Sequence, residues 1–139
     1  MIKTDINGNI GIISIDRPPV NAINPELVSS LSESLDSFHS NDSIQGVVLE
    51  GRSGIFSAGL DITHLFPKDR EYIKTFWESF SSLLNKMFTY EKPLYSSIGG
   101  HCPAGGTVMV IMTDYRIMAL SLIHISAPTR PLYSSCGVF

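Results

Sequence analysis

Cysteine is scarce in this chain: Cys102 and Cys136 are the only two among 139 residues, and they form neither a disulfide framework nor a metal-ligand spacing. A reducing compartment is therefore the default expectation. An excess of positive charge is missing as well. Ten Lys and Arg stand against thirteen Asp and Glu for a net charge of −3, and the cations are scattered. No basic stripe marks a nucleic-acid surface. Long apolar runs are absent too. The apolar stretch near the C-terminal end is broken by Asp114 and Arg116, and the uncharged run beyond Arg116 is too short to span a bilayer. The opening MIKTDINGNI has no apolar signal core and no Arg-rich amphipathic stretch, so no targeting peptide is visible. One further absence is local: no Asp or Glu lies beyond Asp114.

What is present suits one globular domain, since a 43% hydrophobic content is enough for a sizeable core at this length. Strands alternate with helices. IGIISI (Ile10 to Ile15) reads as a strand, and the RPPVNAI turn that follows contains Pro18 and Pro19, which forbid regular pairing. Asn24 suits an N-cap with Pro25 at the first helical position, ahead of an apolar face made by Leu27, Val28, Leu31, Leu35 and Phe38. GVVLEG (Gly46 to Gly51) reads as a buried strand. A second amphipathic helix is predicted from Asp69 to Phe88, with Ile73, Phe76, Trp77, Phe80, Leu83, Leu84 and Met87 at helical spacing. Leu94 to Ile98 is the next strand. Ala104 to Thr113 reads as a helix apolar nearly all round, hence central and buried, and Tyr115 to Ala119 as a final strand. The alternation favours an α/β fold. Past Ala119 the composition changes, and no sustained period continues.

Two loops of small residues carry the chemistry: FSAGLDI from Phe56 to Ile62, and CPAGG from Cys102 to Gly106. Each follows a predicted strand and precedes a predicted helix. Small residues let a ligand approach the backbone, and a helix start presents N–H groups without partners. Two such loops converging on one point form an oxyanion hole, an arrangement suited to carbonyl chemistry. Gly105, at a helix start, combines an unpaired N–H with a favourable helix dipole. Other features invite plainer explanations. His101 and Cys102 are neighbours in a turn, a poor geometry for a thiol and its base. Asp61 and His64 have the spacing of an orienter and a base, but a solvated loop pair is favoured, with Asp61 closing the loop or capping the next turn. Phe76, Trp77 and Phe80 are expected in the core, with a pocket wall as the less favoured reading. Neither GxxxxGK nor GxGxxG occurs, which weakens nucleotide readings.

The PPVNAI turn, the GVVLEG strand, FSAGLDI, HCPAGG and the DYRIMA strand, in that order, resemble the crotonase (enoyl-CoA hydratase/isomerase) superfamily. The chain is most similar to the mitochondrial-type 3,2-trans-enoyl-CoA isomerases, whose second loop also reads CPAGG, over about residues 10 to 119. The resemblance implies a crotonase-like spiral of ββα units, here truncated, with residues 1–119 as the N-terminal part of the domain and 120–139 as an atypical tail. It implies backbone N–H donors at Leu60 and Gly105 for a thioester oxygen. It also implies a CoA site along Ala58, Gly59, Leu60, Asp61 and Ile62, with the Val20 to Ala22 turn near the nucleotide end. The substrate would be an acyl-CoA, with CoA as part of the substrate and no separate cofactor or metal. The compartment would be the mitochondrial matrix, and full-length members assemble as homotrimers.

The expected activity is conversion of 3-enoyl-CoA to 2-trans-enoyl-CoA in fatty acid β-oxidation, through a dienolate. The family's hydratases place a glutamate three residues after the glycine donor, where this chain has Val108. Its isomerases use a single glutamate further along, near the position of Arg130, and no carboxylate is found there. A truncated chain with a foreign tail is the favoured explanation over a native loss of the base. The expectation is thus a chain inactive alone. The alternative is a non-catalytic acyl-CoA-binding or interaction protein of the same fold.

Overall fold

A computed structural model describes residues 1–119. The tail assigned to 120–139, Cys136 and the Arg130 position lie outside the described residues. Seven strands and four helices follow in chain order among the residues described. They are β1 (Ile2–Asn7), β2 (Ile10–Ile15), α1 (Pro25–His39), β3 (Gly46–Glu50), β4 (Gly54–Ile55), α2 (Ile62–Leu65), α3 (Arg70–Phe88), β5 (Leu94–Ile98), β6 (Gly100–His101), α4 (Gly105–Ile111) and β7 (Tyr115–Met118). A five-stranded sheet has the order β1-β2-β3-β5-β7; β1 and β2 are antiparallel, and the other pairs are parallel. Among the described residues a second sheet pairs β4 with β6, in parallel. The main-sheet strands β3 and β5 are each followed by a two-residue strand of the second sheet and then by a helix. This is the expected ββα repeat.

Local sequence explains the long elements. Asn24 caps α1, its side chain accepting from the Leu27 N–H, and Pro25 occupies the first turn. Leu27, Val28, Leu31, Leu35 and Phe38 form the buried face of α1, as the spacing predicts. Each contributes roughly 1.5–3 kcal/mol of burial. Asp69 caps α3 through the Tyr72 N–H, and Phe76, Phe80, Leu83 and Met87 are its buried residues. The two helices are joined across their polar edges by Lys86, which donates to Ser32 Oγ and Asp36 Oδ2. The Tyr90 hydroxyl donates to the Leu35 carbonyl, and burial pushes its pKa up to about 12. Along β2 and β5 alternate residues are buried, so Ile13, Ile15, Leu94 and Ile98 lie in the core.

The short strands determine where the site lies. β4 and β6 pair at Gly54 with Gly100 and at Ile55 with His101. The approach is so close that a Cβ on Gly100 would run into the Gly54 carbonyl group. Both small-residue loops therefore leave this pair side by side.

Three expectations need correction. Helix α4 is shorter than Ala104 to Thr113. It ends at Ile111 because the Thr113 hydroxyl donates to the Val110 carbonyl and Arg116 donates to the Thr113 carbonyl. It is not buried all round either: Gly105, Gly106, Met109 and Val110 face inward, while Ile111 is exposed. Trp77 is half exposed rather than core, because it lies one residue off the Phe76–Phe80 row and covers the edge of both rings.

Ser96, wholly buried in the middle of β5, has a hydroxyl with no hydrogen-bond partner among the described residues. Replacing it removes an unsatisfied group and little volume. Ser96→Ala is expected to be neutral or stabilising by up to about 1 kcal/mol, measured by urea denaturation. A clear loss of stability would show that the hydroxyl has a partner.

Candidate functional site

The loop from Phe56 to Ile62 is built against the turn from Arg17 to Ile23. Ala58 N–H donates to the Val20 carbonyl at 2.9 Å, and the Ser57 hydroxyl donates to the Asn21 carbonyl at 2.7 Å. Ile23 N–H donates to the Gly59 carbonyl at 2.7 Å, and Asp61 N–H donates to the Ile23 carbonyl at 2.8 Å. In a trans peptide the C=O and the following N–H point in opposite directions. With the Gly59 carbonyl held toward Ile23, the Leu60 N–H points away from that turn.

Asn21 is the buried peg of this arrangement. It has a positive φ of 52°, a conformation that asparagine tolerates better than most residues. Its side-chain amide donates to the carbonyls of Ile15 and Phe56, and its Oδ1 accepts from the Arg17 N–H. Strand end, turn and loop are thus joined by one fully buried side chain.

The second loop meets the first at Gly59. Gly59 has φ 95°, and a Cβ there would lie 2.9 Å from Ala104 Cβ and 3.1 Å from the Gly105 nitrogen. A Cβ on Gly105 would in turn lie 3.4 Å from Leu60 Cδ2. Ala104 turns the chain into α4 with φ 50° and ψ −122°, a strained conformation for a residue with a Cβ. The next amides along α4 are occupied: Gly106 N–H donates to Pro103 O, and Val108 N–H to Ala104 O. Neither the Leu60 N–H nor the Gly105 N–H has an acceptor among the described residues. The structure thus brings together Gly59, Leu60 and Gly105, two backbone donors on adjoining loops and the glycine that lets them meet.

The remaining candidates divide. Ala58 is half-buried beside Val20, and Ile62 is exposed at the start of α2. Asp61 is turned inward. Its Oδ2 accepts from Arg17 Nη2 at 2.7 Å, and its Oδ1 accepts from the Thr63 hydroxyl and the His64 N–H. The Thr63 hydroxyl, then the His64 amide and Arg17, hold the Asp61 carboxyl below its ordinary value against the opposing effect of burial. This is the capping role anticipated from sequence, and it makes Asp61 a poor proton acceptor at neutral pH. The His64 ring pairs with the Tyr72 hydroxyl at 2.9 Å rather than with the Asp61 carboxylate. Val108 is half-buried on α4. Sequence reasoning missed Arg17, Asn21 and Ile23 as organisers of the loop; the Asn within a proline-flanked turn was the available signal.

A family profile described as enoyl-CoA hydratase/isomerase matches residues 5–129. The human protein named "Enoyl-CoA delta isomerase 1, mitochondrial" is 32% identical over 120 residues, a match covering 86% of this chain and 40% of that protein. The peroxisomal bifunctional enzyme of Cavia porcellus is 32% identical over 109 residues, covering 78% of this chain and 15% of that protein. Among solved structures, human mitochondrial delta3-delta2-enoyl-CoA isomerase superposes with a TM-score of 0.80 at 30% identity, covering 83% of this chain and 46% of that one. The chain therefore spans under half the length of the isomerases it matches.

Two outcomes test the geometry. Gly59→Ala places a Cβ against Ala104 and Gly105 at a positive φ, and is expected to destabilise by about 1–3 kcal/mol, read by denaturant midpoint. Asp61→Asn loses the Arg17 ion pair, with an expected cost of about 1.5–3 kcal/mol at pH 7. Because the folded Asp61 titrates below its ordinary 3.8, its contribution is complete above that pH and is lost as pH falls through the folded value. The stability gap between wild type and variant should accordingly close below about pH 4. A gap that does not change with pH would contradict the assignment.

Proposed function

This chain belongs to the enoyl-CoA hydratase/isomerase family, and on that premise we propose that it forms the carbonyl-polarising and CoA-reading half of a 3-enoyl-CoA isomerase site. The observation that carries the proposal is the pair of backbone donors, Leu60 N–H and Gly105 N–H, held on adjoining loops without acceptors among the described residues. The thioester oxygen of an acyl-CoA would accept from both. As a proton leaves C2, negative charge moves onto that oxygen to give a dienolate, and donors already in place stabilise it. One such donor is worth about 10²–10³ in rate. The segment Ala58 to Ile62 would read the CoA moiety, with Val20 to Ala22 at its nucleotide end.

Isomerisation is favoured over hydration because Val108 stands three residues after Gly105, where a hydratase would need a carboxylate. The proton carrier is the part not found. Asp61 is occupied by Arg17, Thr63 and His64, the His64 ring pairs with Tyr72, and the sequence has no Asp or Glu past Asp114. These 139 residues would therefore bind acyl-CoA and polarise it while turning over little or none. Thioester hydrolysis meets the same objection. The mitochondrial matrix is the compartment proposed, by likeness to the mitochondrial relatives. The homotrimer is proposed only for longer members of the family.

The test combines calorimetry with a saturated acyl-CoA and a spectrophotometric assay with a 3-enoyl-CoA. Saturable binding is expected, with turnover at least about 10²–10⁴-fold below that of a complete isomerase. Turnover at the rate of a complete isomerase would contradict the missing base, and absence of binding would contradict the CoA site. Tight binding with no turnover and no polarisation of the thioester carbonyl would favour the acyl-CoA-binding reading of the chain.

A further inference from the structure

We propose that Arg17 is a positioning residue for the Leu60 donor, acting through Asp61; the inference rests on Leu60 and Gly105 being the oxyanion donors. Arg17 lies just past β2, and its guanidinium reaches two separate segments. Nη1 donates to the Ala22 carbonyl at 3.1 Å, and Nη2 donates to Asp61 Oδ2 at 2.7 Å. The backbone of Arg17 is itself fixed, its N–H donating to Asn21 Oδ1 and its carbonyl accepting from the Asn21 N–H. The ion pair is largely sheltered, with the Arg17 side chain 26% exposed and that of Asp61 10%.

These contacts enclose the Leu60 peptide. The orientation of the Leu60 N–H depends on the Gly59 carbonyl staying on Ile23 and on Asp61 N–H staying on the Ile23 carbonyl. Ala22 and Asp61 are the immediate neighbours of those bonds, and Arg17 holds both at once. A planar fork reaches the two partners from two separate nitrogens, Nη1 and Nη2, whereas a lysine has a single nitrogen and no second one to place at Ala22. The other oxygen of Asp61 caps α2 through Thr63 and His64, so Arg17 also couples the start of α2 to the turn. None of these groups would touch the thioester, and the role is one of aim.

The experiment uses the whole 139-residue chain with Arg17→Ala and Arg17→Lys. Protection of the Ile23 and Asp61 amides is followed by hydrogen exchange, affinity for a saturated acyl-CoA by calorimetry, and the bound thioester carbonyl by isotope-edited infrared difference spectroscopy. For Arg17→Ala the Ile23 and Asp61 amides should lose protection while those of Val47 and Leu49, in the centre of the main sheet, keep theirs. Binding should weaken about tenfold, the order of one hydrogen bond from a misaimed Leu60 N–H to the thioester oxygen, and most of the carbonyl red shift should disappear. Arg17→Lys should fall between the two, because it regains Asp61 but not Ala22. A lowered melting temperature with an unchanged carbonyl band would overturn the proposal, leaving Arg17 a merely structural residue. A wild-type chain that binds without any carbonyl shift would defeat the oxyanion reading instead. The exchange data then decide the clamp on their own: lost protection at Ile23 and Asp61 supports it, and unchanged protection overturns it. If Arg17→Ala does not fold, Arg17→Lys is judged by the same measurements.

Discussion

The contact between Gly59 and the Ala104–Gly105 peptide is the constraint on which the site depends. A side chain at Gly59 would meet Ala104 Cβ at 2.9 Å and the Gly105 nitrogen at 3.1 Å, so the two loops can adjoin only with hydrogen at that position. The rest of the architecture serves this approach. Pairing of β4 with β6 sends the loops out together, and the close contact of Gly100 with Gly54 brings the two short strands within reach. Asn21 then ties the end of β2 to the loop through the Ile15 and Phe56 carbonyls. The proposed donors are main-chain groups, so what must be preserved for that role is a backbone path rather than the identity of a side chain at Leu60.

That arrangement separates two tasks usually found together in one active site. Charge stabilisation needs fixed dipoles, and in the proposed function the Leu60 and Gly105 N–H groups of the two loops supply them. Proton transfer needs a group whose pKa lies near the working pH. Asp61, the acidic residue within the first loop, is unsuited to it: hydrogen bonds from Thr63, His64 and Arg17 keep it ionised and engaged. Its carboxylate holds the loop in shape and caps α2. The same residue thus supports the geometry of the site and is removed from its acid–base chemistry.

The long elements are legible in the sequence because two independent signals agree. In α1, the Asn24–Pro25 start and the spacing of Leu27, Leu31 and Leu35 point to the same helix, and the burial follows it. In α3, Asp69 and the Phe76–Phe80–Leu83–Met87 row do the same, although periodicity alone does not show that Trp77, one position off that row, stays half exposed. Short elements are not legible. β4 and β6 have two residues each, too few for any period, and α2 is a single turn. β1 is mostly exposed and carries no core pattern, although the Gly8-Asn9 pair that turns it into β2 is a hairpin signal. The two glycine loops stand out from composition alone. What places them together, Arg17 on Asp61 across the fold and Asn21 on Phe56, exists only after the chain has folded.

The most direct measurement is an amide-resolved NMR titration of the 139-residue chain with a saturated acyl-CoA. The account predicts that the Leu60 and Gly105 amide protons move downfield together as the ligand saturates, since both acquire an acceptor in the thioester oxygen. Saturable binding that leaves these two amides unmoved would contradict it.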